Sequence, residues 1–191
     1  MFKRCIHKCF TGGGEVGIEV IDGTNLLIHS ASANCLITFL PFEFFDDVLF
    51  PYRMEPAKNF CIFRGLYAEF SIVHSFTFSK DCIFFQCYVK ALRDIELIDV
   101  LCPTIICEDL ERKNNSISCR KDNLCIIMEY KGSHVIRGSF TSDLKGRAWR
   151  DALFFRRKAY GLSLRNLYLR GGDVVITNLR INIRLITDHS R

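Results

Sequence analysis

Four cysteines in the second half of this chain, Cys102, Cys107, Cys119 and Cys125, stand as two pairs on either side of a polar stretch. Thiolates are strong zinc ligands, and two pairs flanking a loop suit a closed tetrahedral site that pins it. The intervals within the pairs are wider than the usual two to four residues, so buried free thiols are the competing reading. Near the start, Cys5, His7 and Cys9 alternate and would offer three further donors on one side of a strand.

Other chemistry finds little support. The imidazoles are His7, His29, His74, His134 and His189, and none sits in a catalytic signature. Gly12-Gly13-Gly14 is not followed by Gly-Lys-Ser/Thr, which removes a phosphate-binding loop. The chain is expected to be non-enzymatic.

Charge is divided sharply. Residues 112–191 hold 17 Lys/Arg against 6 Asp/Glu, whereas the first 111 residues hold 9 against 15, so a net +11 faces a net −6. The basic residues Arg147, Arg150, Arg156, Arg157, Lys158, Arg180 and Arg184 are candidates for binding nucleic acid, with nearby aromatics stacking on bases. A solvated face, an acidic protein partner, a nuclear-import signal at Arg156-Arg157-Lys158 and neutralisation by the chain's own acidic part are the alternatives.

These residues need a scaffold. With 191 residues, 17 Phe and only 4 Pro, the chain has material for one core, read as a single domain over 1–191. No apolar run suits a membrane span and no secretory signal opens the chain, so a soluble intracellular protein with reduced thiols is expected.

Val16–Ile21, Asp22-Gly23 and Leu26–His29 read as a hairpin, as do the segments flanking Lys131-Gly132-Ser133. Val174–Ile186 alternates as a half-buried strand with Arg180 and Arg184 outward. Glu108–Asn123 reads as an exposed loop. Residues 41–50 suit a short helix, and Gly146–Lys158 a basic helix with Trp149, Ala152, Leu153 and Tyr160 on one face. The fold class expected is therefore α+β and strand-rich.

Ser142-Asp143, Gly146, the basic aromatic segment, Leu167-Tyr168-Leu169-Arg170-Gly171 and the run to Leu179-Arg180 follow one another in a recognisable order. With Phe63-Arg64-Gly65-Leu66 and the Cys119–Cys125 segment, that order resembles the adenovirus early region four 34-kilodalton protein family.

The resemblance implies a viral early adaptor that recruits host elongin B/C and a cullin to form a ubiquitin ligase, together with a second viral early protein, in the host nucleus and cytoplasm. Such adaptors present a short helix with an aliphatic residue, a cysteine four later and a small apolar residue four later again. Ile83, Cys87 and Ala91 fit that spacing, as do Ile98, Cys102 and Ile106, although Pro103 opposes a helix through the second set. An ordinary buried strand is the alternative for the first.

On this resemblance the docking residues include Trp149, Arg170 and the basic group around them. Leu40-Pro41-Phe42-Glu43-Phe44, with Pro51 and Pro56, is also similar to the minimal F-box-like motif of polerovirus silencing suppressors. A nucleic-acid-binding regulator and a structural virion component are the other functions compatible with the sequence.

Overall fold

Alternation of apolar and polar residues, with many β-branched and aromatic side chains, favours pleated structure over most of this chain. The computed structural model describes residues 4–11, 13–42, 53–144, 149–154 and 157–186, and among these no helix occurs. The strands are β1 (Arg4–Thr11), β2 (Gly14–Ile21), β3 (Asn25–His29), β4 (Asn34–Leu40), β5 (Arg53–Ala57), β6 (Phe60–Tyr67), β7 (Phe70–Phe78) and β8 (Cys82–Ala91). They continue as β9 (Ile95–Ile106), β10 (Leu110–Lys113), β11 (Ser116–Lys121), β12 (Leu124–Arg137), β13 (Phe140–Asp143), β14 (Trp149–Phe154), β15 (Arg157–Leu169) and β16 (Val174–Leu185).

Two antiparallel sheets result. One has seven strands in the order β1-β2-β3-β4-β9-β15-β14, and the other has nine, β10-β11-β12-β16-β8-β7-β6-β5 with β13 beside β12. Period-two burial along strands such as β4, β6, β7 and β8 turns one face of each sheet inward. The two inner faces share a core in which Phe39 of β4 stacks on Phe85 of β8 at 4.4 Å and meets the edge of Phe76 of β7 at 6.2 Å.

The architecture is thus an all-β sandwich, and the α+β expectation is corrected. Where a basic helix is expected over 146–158, the described residues lie in the paired strands β14 and β15, with Trp149 opposite Leu162 and Phe154 opposite Arg157. Local helix propensity there yields to nonlocal pairing, because β15 is also held along its length by β9. Most of the short helix expected over 41–50 lies outside the described residues, as do Gly146, Arg147 and Arg156.

Two further readings change. The segment around Lys131-Gly132-Ser133 is a bulge, since β12 runs through it and pairs with β16 on both sides; Gly132 takes a φ of 132° as the register shifts. The polar stretch after Glu108 is a hairpin of β10 and β11, with Asn114 in the left-handed region at its turn. The hairpin around Asp22-Gly23 and the outward placement of Arg180 and Arg184 agree with the sequence reading.

One polar group is carried into the core. His74 on β7 is 2 % exposed, and its Nδ1 lies 2.7 Å from the Gly23 carbonyl of the β2–β3 turn, so that nitrogen carries the hydrogen and donates. Gly23 has a φ of 71°, and an added Cβ would sit 2.4 Å from the Phe63 Cβ, so the turn closes here only with glycine.

Burial pushes the His74 pKa from 6.5 down to about 4, although the Gly23 bond opposes it. The unfolded chain therefore binds the extra proton first. The neutral ring's contribution is complete above about pH 6.5 and is lost as pH falls toward 4, worth about 3 kcal/mol. Urea unfolding followed from pH 7 to 4 should show this loss in the native chain and a flatter profile in His74→Phe.

Candidate metal centre

The chain brings three thiols together at one end of the sandwich. Cys35 lies on β4 and Cys107 directly follows β9, both in the seven-stranded sheet, while Cys119 lies on β11 of the nine-stranded sheet. Their sulfurs form a triangle, 3.4 Å from Cys35 to Cys107, 3.3 Å from Cys35 to Cys119 and 3.5 Å from Cys107 to Cys119. All three are buried.

The strands explain the meeting. Inward and outward residues alternate along β4 and β11, which turns Cys35 and Cys119 to the interior. β4 and β9 pair only from Thr38–Leu40 to Thr104–Ile106, so beyond Ile106 the two chains are no longer laddered and Cys107 can turn to the others. The Glu108 carbonyl accepts a hydrogen bond from the Cys107 thiol at 3.1 Å.

Protons are shared unequally within the triangle. Bonds from Cys107 and then Cys35 pull the Cys119 thiol down to about 3, with Lys121 helping and burial opposing. The Cys35 thiol stands at about 12: its bond to Cys107 lowers it, but its bond to Cys119 and burial prevail. Cys107 is raised by its bonds to Cys119 and Cys35 and by burial. The three sulfurs lie within hydrogen-bond reach of one another, and a cation that replaces the thiol protons would gain three thiolate ligands.

The dimensions suit such a cation. Tetrahedral zinc with bonds of about 2.3 Å to sulfur separates its sulfurs by about 3.8 Å. The triangle would need to open by only a few tenths of an ångström. These three residues are the one His/Cys/Asp/Glu group found among the described residues with ligand atoms that close.

Two of the four cysteines expected from the sequence therefore belong to the centre and two do not. Cys125 is opposite Arg120 in the β11–β12 hairpin while Cys119 is opposite Ile126, so Cys125 points to the other face of the sheet. Cys102 is buried on β9 against Cys87 of β8, whose thiol is raised by its bond to Cys102 and by burial. Cys35, absent from the sequence reading, replaces them. Its partners lie 72 and 84 residues away, a separation in which no spacing motif operates. Cys5, His7 and Cys9 do share one face of β1, but His7 stacks on Phe78 at 4.7 Å and Cys5 bonds with Cys61.

The proposed docking residues are dispersed. Ile83, Cys87 and Ala91 are all buried on β8, a central strand of the nine-stranded sheet. Trp149 is also buried, and Arg112 donates to its carbonyl at 2.8 Å. Arg150 reaches Asp99, which also takes Arg165 at 3.2 Å and Ser163 at 3.3 Å.

Desolvation pushes the Asp99 carboxyl up, but Arg150 and Arg165 hold it below its ordinary range. Arg157 pairs with Glu108 at 3.2 Å, and Arg170 helps lower Asp94, whose largest contribution is the bond from the Gly171 N–H. Lys158 and Arg170 are exposed. Arg150, Arg157 and Arg165 are thus met by the chain's own acidic part. Of the F-box-like segment, Leu40 and Phe42 are buried, and Glu43, Phe44 and Pro51 lie outside the described residues.

The fold and the site define an antiparallel β-sandwich with a buried three-cysteine centre. No family model matches the chain, and no curated protein matches it. Two solved structures of heparinase III, the first with methylated lysines, are similar in fold, with TM-scores of 0.55 and 0.54 respectively at 7% identity. They cover 97% of this chain, which spans 36% and 37% of theirs. Identity that low makes the likeness one of fold.

Proposed function

We propose that this chain is a non-enzymatic interaction protein whose sandwich is fastened by zinc at Cys35, Cys107 and Cys119. The thiol triangle carries the reading, because it draws on both sheets and lies within a few tenths of an ångström of tetrahedral spacing. Thiolate donors select soft or borderline ions, zinc foremost. Elemental analysis of the purified chain should find about one zinc per molecule, and none after treatment with a chelator and unfolding. Metal-free chain with unchanged stability would remove the reading.

Its cellular role, in this proposal, is that of a viral early adaptor that recruits a host elongin–cullin ubiquitin ligase with a second viral early protein. The support is the order of segments, which resembles that of the adenovirus family. Attachment would have to use an outer surface, since Ile83, Cys87 and Ala91 face the core. Affinity purification from host cells should recover elongins and a cullin with the wild-type chain; recovery of neither rejects the role.

A second reading, nucleic-acid binding, is favoured by one outer face of the nine-stranded sheet. The strand registers align Phe60, Thr77, Phe84 and Arg180 in a row, with Phe60 and Phe84 exposed and the Arg180 guanidinium 5.8 Å from the Phe84 ring centre. Lys90, Arg120 and Arg184 are exposed on the same sheet. Aromatic platforms beside guanidinium groups are how sheets hold single strands. Affinity for a single-stranded oligonucleotide should fall with salt, and R180A/R184A should lower the log–log slope by about 1.4. An unchanged slope would exclude this face.

A further inference from the structure

The thiol centre is one donor short of a tetrahedron. Among the described residues, no other His, Cys, Asp or Glu brings a ligand atom close enough to join the three sulfurs. Glu108 and Asp109 are the nearest acids along the chain, but the Glu108 carboxylate pairs with Arg157 at 3.2 Å. All three cysteines line a cleft of about 190 Å³, with Lys121 and Arg157 among its other walls. A cleft of this size has room for a small ligand.

Resting on the metal reading above, we propose that the Cys35–Cys107–Cys119 centre keeps its fourth metal position open to this cleft. An exogenous thiolate or imidazole completes it. Structural zinc sites are closed by four protein donors, whereas a site with three keeps a position where a ligand can exchange. Three thiolates on a divalent ion carry a net charge of −1, and the charged walls of the cleft balance one another, Lys121 and Arg157 against Glu108 and Asp109, with Arg157 paired to Glu108. The metal is then both a fastener between the sheets and a site for an exchangeable ligand.

Cobalt(II) exchanged into the full chain tests this. Sulfur-to-cobalt charge-transfer absorption in the near ultraviolet reports that the thiolates hold the ion, and the visible d–d bands report the fourth ligand. Imidazole and N-acetylcysteine, added separately, should each shift the d–d bands and saturate at one ligand per cobalt while the charge-transfer absorption persists. Charge transfer present with d–d bands indifferent to both additions shows a closed site and overturns the proposal. Absence of charge transfer removes the metal reading and the open position together. His189→Ala, at a position outside the described residues, should leave the spectrum unchanged; an altered one would place the fourth donor within the chain and overturn the proposal.

Discussion

Ile83→Asp is expected to unfold the protein, whereas Ile98→Asp is expected to change its stability by less than about 0.5 kcal/mol. Both isoleucines open a segment with the spacing of a ligase-docking helix, and exposure separates them: Ile83 is 0% exposed and Ile98 is 70% exposed. Ile83 stands between Phe78 of β7 and Ile181 of β16, so an aspartate there loses apolar burial and meets no cation among those neighbours. Truncating such a residue costs about 2–5 kcal/mol, and burying the carboxyl adds about 4 kcal/mol if its pKa rises by about three units. The sum rivals the whole stability of a domain, about 5–15 kcal/mol. Circular dichroism and denaturant unfolding of the two variants check the contrast. A folded Ile83→Asp chain that specifically fails to recover elongins would restore that segment as the docking element.

Cys107→Ser is expected to weaken zinc binding by more than about 100-fold, because even residues that only orient metal ligands cost about 10–100-fold when replaced. Stability should fall with it, since metal affinity is folding free energy wherever the site exists only in the folded chain. Cys35→Ser and Cys119→Ser should behave alike. Cys125→Ser should keep full zinc content, because the register of the β11–β12 hairpin turns that sulfur to the opposite face. Competition against a chromophoric chelator measures all four. Equal losses in Cys107→Ser and Cys125→Ser would return the site to the loop-flanking quartet suggested by spacing.

Local patterns were legible where one strand decides its own facing. The alternation from Val174 to Leu185 placed Arg180 and Arg184 outward, and Asp22-Gly23 marked a turn that needs a positive φ at the glycine. The segment from Trp149 to Tyr160 misled, because Trp149, Ala152 and Tyr160 suit one helical face as well as they suit two paired strands. Trp149 and Tyr160 are both buried, but on β14 and β15 respectively. Lys131-Gly132-Ser133 carried turn chemistry, and the same glycine conformation serves a bulge when β16 is present to pair on both sides.

By itself, the sequence determined the period of the strands, several turns, the charge division and the supply of thiols that soft metals favour. These properties depend on neighbours within a few residues, where sterics and side-chain chemistry act directly. The tertiary structure alone decided that two sheets face each other, that the basic block meets Asp99 and Glu108, and that Cys35 joins Cys107 and Cys119 while Cys102 and Cys125 turn elsewhere. Each of those outcomes depends on which strand lies beside which across tens of residues, and an alternating pattern is equally satisfied by many pairings. The register that chooses among them is set when both apolar faces are buried against one another.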